Sequence, residues 1–273
     1  VEEPATASPL FALTNVVCTP HLGASTTEAQ ENVGIESARL IMDFMATGTI
    51  KNAVNAPALD APAMAAIEPY RNLAAKIGSL QAQLLDGKLK KFSITYAGPA
   101  FGNERSRSRQ VLMLAALEGF FRHYLSSPVN YVSVPHFARE HGIQLEEVSS
   151  SDTEGFINLL TIKVETSKGQ KRVSGAIFGE RLPRIVYIDS HTMDTIPEGH
   201  IVFFANDDRP GMLGMVGTLL GANKVNIGSV SMGRDKTGGT ALACLTVDGP
   251  VPEGVLKELE GKKGILWAKQ VSI

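Results

Sequence analysis

The stretch 201–271 constrains the fold more than any other part of the chain. Residues 201–205 are apolar, β-branched or aromatic, which predicts a strand. Residues 210–222 carry Met212, Val216, Leu219 and Leu220 at helical spacing, with Pro210 near the first turn. Residues 225–232 and 240–247 read as strands around a turn at 236–239, followed by a helix over 252–260 and a strand over 265–271. The order is β-α-β-β-α-β. Two amphipathic helices cover one face of such a four-stranded sheet, so its open face or its edges need cover. Self-association through this unit to a dimer or larger assembly is therefore expected.

Upstream, 144–190 switches to period two and predicts three antiparallel strands, 157–165, 170–179 and 184–189, with a turn at 167–169. Helices are predicted over 62–86 and 107–125, strands over 90–97 and 131–134, and a short helix over 135–141. Residues 15–19 predict a buried strand between prolines. Ser25 and Glu28 form a capping box for a helix to about residue 46, with Val33, Leu40, Ile41 and Phe44 on one face. Residues 51–62 read as a short strand and a proline-broken linker. The fold class is α+β, ending in a ferredoxin-like unit. The expected domains are 1–58, 59–195 and 196–273.

The chain has 273 residues, 26 Lys and Arg against 28 Asp and Glu, and a net charge of −2. No global basic field draws it to nucleic acid or an anionic membrane. The two thiols, Cys18 and Cys244, are too few for a disulfide framework, a four-thiolate zinc site or a self-contained iron–sulfur centre, and fit a reducing cytoplasm. No apolar run approaches the ~20 residues of a membrane span. The start at Val1, without Met or a leader, reads as a fragment.

No G-x-G-x-x-G occurs. Gly211, Gly214, Gly217 and Gly221 lie within one predicted helix, where small residues mean close packing. Gly87-Lys88 and Gly261-Lys262 lack the rest of a P-loop, so no domain here is expected to bind a nucleotide by itself. His21 follows a predicted strand, with Gly23 and Ala24 allowing close backbone approach and a helix start behind them. Held by a carboxylate such as Glu3, it could act as a general acid or base; on spacing alone it is equally an ordinary histidine. In 206–211, loop and helix amides suit a carboxylate, Asp208 an ammonium, and Asn226 either partner; the plain alternative is a turn and a helix cap. Arg105, Arg107 and Arg109 lead into a helix and form either a candidate anion site or a solvated face. His123, His136, His141, His191 and His200 show no metal-ligand spacing, so no metal is expected.

Three segments, Val1-Glu-Glu-Pro4, Asn15-Val-Val-Cys-Thr-Pro-His-Leu-Gly-Ala-Ser-Thr-Thr-Glu-Ala-Gln30 and Asn52-Ala-Val-Asn-Ala-Pro57, together resemble the D-3-phosphoglycerate dehydrogenases of the D-2-hydroxyacid dehydrogenase family. The resemblance implies a remnant of a doubly wound catalytic domain, with His21 paired to Glu3 in catalysis and His21, Leu22, Gly23 and Ala24 against the nicotinamide of NAD. The glycine fingerprint, the acidic ribose anchor and the substrate-binding Arg of that family are missing. The 206–211 loop with Val225-Asn-Ile-Gly228 is similar to an ACT domain, which implies an effector site at Asn206, Asp208 and Asn226 for an amino acid, L-serine first. Asn206 stands at a variable position of that pattern. Residues 59–195 resemble the intervening domain of the long-form dehydrogenases, a module that also looks like part of the iron–sulfur L-serine dehydratases. The expected function is the C-terminal regulatory portion of such a dehydrogenase, inactive alone. The alternatives are a stand-alone amino-acid-binding regulatory module and a serine dehydratase subunit.

Overall fold

The computed structural model describes residues 7–19, 21–47, 52–54, 57, 59, 61–102, 107–125, 130 and 132–273. The chain divides into two compact units, Val1–Val54 and Asn55–Ile273.

In the first unit a 3-10 turn at Pro9–Ala12 precedes helix α1, Thr27–Thr47. The Thr26 hydroxyl, not Ser25, caps α1 by accepting from the Ala29 amide at 3.1 Å. The stretch 15–19 forms no strand, and neither do the described residues of 51–62. Val33, Ile41 and Phe44 of α1 are exposed.

The second unit holds two sheets. α2 (Ala61–Leu84) and α3 (Arg107–Tyr124) pack on a six-stranded sheet of order β2-β1-β3-β4-β5-β6. Its strands are β1 (Leu89–Ala97), β2 (Gln144–Ser150), β3 (Leu159–Thr166), β4 (Gln170–Phe178), β5 (Leu182–Ile188) and β6 (His191–Thr195). All pairs are antiparallel except β1 with β2, joined through α3 and α4 (Ser133–Glu140). The expected strand at 131–134 is replaced by the start of α4; Tyr131 lies outside the described residues. Strands β2 and β6 are additions to the three read from the pattern.

The C-terminal sheet has the order β10-β7-β9-β8, the ferredoxin-like arrangement. Its strands are β7 (His200–Asp207), β8 (Ile227–Arg234), β9 (Thr240–Val247) and β10 (Ile265–Ser272), with helices α5 (Met212–Ala222) and α6 (Glu253–Glu260). Side chains alternate along β7. Val202 and Phe204 pack with Met212, Val216, Leu220 and Leu259 of α5 and α6. Ile201, Phe203 and Ala205 join Leu73, Ile77 and Leu80 of α2 in a second core. The chain's own α2 thus covers the sheet face opposite α5 and α6, one of the two places, face or edges, where cover was expected. Among the described residues no helix is long and apolar enough to cross a membrane.

Candidate effector site and catalytic remnant

The C-terminal end of β7 meets the start of α5. Asn206 is 2% exposed. Its amide Nδ2 donates to the Asp207 carbonyl at 2.6 Å, and its Oδ1 is buried without a hydrogen-bond partner among the described residues. A buried carbonyl oxygen without a donor costs free energy that a ligand N–H can recover. The start of α5 is marked by Gly211 at φ 88°, and among the described residues no side chain caps it. Asp208 is already engaged: its carboxylate accepts from the Gly238 amide at 3.0 Å and pairs with Arg234 at 3.4 Å. It ties the 235–239 hairpin to the helix start. Neither partner is visible in the sequence, because the β8–β9 register brings them there.

Asn226 is elsewhere. It donates to the Asp248 carboxylate at 2.7 Å, just before β8. β7 and β8 both run antiparallel to β9, hence parallel to each other. Ile227 and His200 both pair with Val247, whereas Arg234 and Asn206 both pair with Ala241. Asn226 and Asp208 thus lie at opposite ends of the sheet, about 25 Å apart at the usual rise per residue. One copy of the chain does not bring the three effector residues together.

In the first unit, His21 has φ 59°, a left-handed conformation uncommon outside glycine. Leu22 is exposed and accepts through its carbonyl from the Ser25 amide at 3.3 Å. A Cβ on Gly23 would meet nothing within 4 Å, so the turn leaves room for a ligand against its backbone. Ala24 completes the turn. Glu3 lies outside the described residues.

The three arginines do not form one cluster. Arg109 is 6% exposed, and its guanidinium donates to the carbonyls of Phe101 at 3.2 Å and Gly102 at 2.8 Å and to the Ser149 hydroxyl at 2.6 Å. Arg107, two residues earlier, is exposed on another side of α3. Arg105 lies outside the described residues. Next to Arg109, burial raises the Glu147 carboxyl above its ordinary range, and the arginine charge opposes that rise. Cys244 is buried, its thiol pushed up to about 12, which makes it inert; Cys18 is exposed. Among the described residues no three His, Cys, Asp or Glu side chains gather as a metal site.

Residues 66–189 match the model of the D-3-phosphoglycerate dehydrogenase intervening domain, and residues 200–263 match that of the ACT domain. The chain is similar over its whole length to D-3-phosphoglycerate dehydrogenase of Archaeoglobus fulgidus, at 35% identity and 51% of that protein. It is 34% identical to that of Synechocystis sp., again over the whole chain and 49% of the relative. With the Bacillus subtilis protein it shares 33% identity over 94% of this chain and 48% of the relative. The chain spans about half the length of these curated relatives. Along the chain an intervening domain of the D-3-phosphoglycerate dehydrogenase type is followed by an ACT domain, the pair of modules that the resemblance in sequence implied.

Proposed function

We propose that the chain is the C-terminal, mostly regulatory part of a cytoplasmic, NAD-dependent D-3-phosphoglycerate dehydrogenase, and that its ACT domain senses an L-amino acid, serine first. The parts are 1–58, a remnant of the catalytic region, 59–195, the intervening domain, and 196–273, the ACT domain. Likeness of the whole of this chain to about half of each protein of that name supports the dehydrogenase reading. The whole enzyme would oxidise 3-phosphoglycerate to 3-phosphohydroxypyruvate, the opening step of serine synthesis. His21, oriented by Glu3, would take the hydroxyl proton as the C–H bond gives up its hydride. NAD, when bound, supplies the hydride acceptor. The open turn 21–24 fits one wall of a nicotinamide pocket, but nothing in the sequence cradles a pyrophosphate. This chain alone is proposed to bind no NAD and to be inactive.

The observation that carries the effector reading is Asn206 Oδ1, buried and unpartnered beside the uncapped start of α5. There the serine ammonium would donate to Asn206 and face Asp208, and its carboxylate would meet the α5 amides. Asn226 belongs to the same site only if a second copy presents it, so the three-residue reading requires self-association through the ACT domain. Calorimetric titration of L-serine tests the reading: binding heat and a raised melting temperature are expected. Absence of both, for serine and for the other L-amino acids, would overturn it.

A further inference from the structure

We propose that helix α2 fuses the six-stranded sheet and the ACT sheet into one cooperative body, so that a ligand held by one stabilises both. Domains joined by a linker move independently unless their interface is large and hydrophobic. Here the interface is a core. Leu73, Ile77 and Leu80 of α2 are fully buried, in one continuous cluster with Ile201, Phe203, Leu242, Cys244 and Val271 of the ACT sheet. Separating the two sheets would expose both sides of that cluster at once.

Polar groups fasten the same contact. The Gln83 side chain on α2 works as a surrogate strand for β10: its Nε2 donates to the Ser272 carbonyl at 2.9 Å, and its Oε1 accepts from the Ser272 amide at 2.9 Å. Lys269 of β10 reaches back to the end of α2, donating to the Leu84 carbonyl at 3.1 Å and the Asp86 carboxylate at 2.9 Å. A cation belongs at that end of a helix. Lys76 pairs with Glu198 at 3.0 Å, in the four residues between β6 and β7. Gly199 and Ile273 exchange backbone hydrogen bonds at 3.1 and 3.0 Å, which holds that connection to the end of β10.

A second contact joins the far side. The Asp194 amide of β6 donates to the Ser231 hydroxyl of β8 at 2.8 Å. A Cβ on Gly233 would overlap the Thr192 carbonyl oxygen, so this close approach requires glycine. With α2 on one side and β6 on the other, the ACT sheet has no independent hinge. The coupling itself rests on these contacts; only its use in regulation rests on the effector reading.

The test is hydrogen exchange of the whole chain, read by mass spectrometry across a urea series. Amides of β1 and β3 should lose protection at the same urea concentration as those of β7 and β9. Gln83→Leu should lower both midpoints together and raise the opening equilibrium about three- to tenfold, the scale of one or two hydrogen bonds. Either sheet opening alone in the unsubstituted chain, or a Gln83→Leu shift confined to one sheet, would overturn the proposal. Saturating L-serine should raise both midpoints equally. Coincident opening that serine does not move supports the coupling and counts against the effector reading; a serine shift in the ACT strands alone overturns the coupling.

Discussion

Gly119 of α3 lies directly against the carbonyl oxygen of Ala75 on α2, and a Cβ at position 119 would overlap it. Gly78 of α2 stands in the same relation to the Ala116 carbonyl on α3. The two helices approach through a reciprocal pair of glycines. Replacing a helical glycine by alanine ordinarily stabilises by about 1 kcal/mol. Here the obstacle is backbone, which cannot rotate aside. Gly119→Ala should therefore destabilise the chain by about 1–3 kcal/mol or more, the usual cost of overpacking. A urea midpoint unchanged or raised would show that the helices separate freely.

Arg109 is the buried cation of the intervening domain. Besides the hydrogen bonds already described, its guanidinium lies over the Tyr96 ring, 4.9 Å from the centroid, and the Tyr96 hydroxyl donates to the Arg109 carbonyl at 2.9 Å. Arg109→Met would strand those acceptors and leave Glu147 without its neighbouring charge. A loss of about 1–3 kcal/mol is expected, the cost of leaving buried acceptors without a donor. Without the arginine, burial alone acts on Glu147, so its folded-state pKa rises further. A carboxyl raised by folding ionises more readily when unfolded, so stability falls as pH climbs from the ordinary carboxylate range to the folded value. The variant's deficit should therefore be larger at pH 7 than at pH 4. Melting curves at the two pH values decide; an equal deficit would mean that Glu147 does not feel Arg109.

The ACT unit was readable because glycines and prolines punctuate it and its strands are apolar. The observed helices and strands begin and end within two residues of those read from the pattern. Strands β2 and β6 were not readable, because Gln144-Leu-Glu-Glu-Val-Ser-Ser150 and His191-Thr-Met-Asp-Thr195 are polar. Each is a strand because a neighbour supplies its hydrogen bonds, β1 for β2 and β5 for β6. Residues 15–19 have the composition of a strand, yet none of the described residues pairs with them. Asn206 and Asp208 stood out in their loop. The separation of Asn226 from them follows from the β7–β9–β8 register, which no local pattern records.

The Lys269–Asp86 pair gives the joint between α2 and β10 a pH dependence. The hydrogen bond from Lys269 holds the Asp86 carboxyl below its ordinary value. A carboxyl depressed by folding contributes fully above its unfolded pKa, and the contribution is lost as pH falls through the folded value. Part of the acid destabilisation below about pH 4 should therefore disappear in Lys269→Met. Comparing the melting temperatures of both proteins between pH 6 and pH 3 tests this; parallel curves would show that the pair carries no stability.

His21 can be tested only where the rest of a catalytic site exists. In the complete enzyme, His21→Ala should lower kcat by roughly 10²–10⁴, the usual contribution of a general acid or base. An unchanged kcat would remove the proton-transfer role.

The effector site makes the most discriminating prediction, because Asp208 and Asn226 occupy opposite ends of one sheet. If serine binds between two ACT domains, each site takes Asp208 from one copy and Asn226 from its partner. A dimer of Asp208→Ala chains then lacks both sites, and so does a dimer of Asn226→Ala chains. A mixed dimer carries one doubly damaged site and one intact site. Random exchange in an equimolar mixture makes half of the dimers mixed, so about a quarter of the original serine-binding capacity should return. Its affinity should match that of the unsubstituted protein. Calorimetric titration of the two variants, alone and after co-refolding, measures this directly. If mixing restores nothing while Asp208→Ala alone abolishes binding, the site lies within one copy and Asn226 serves only to hold Asp248.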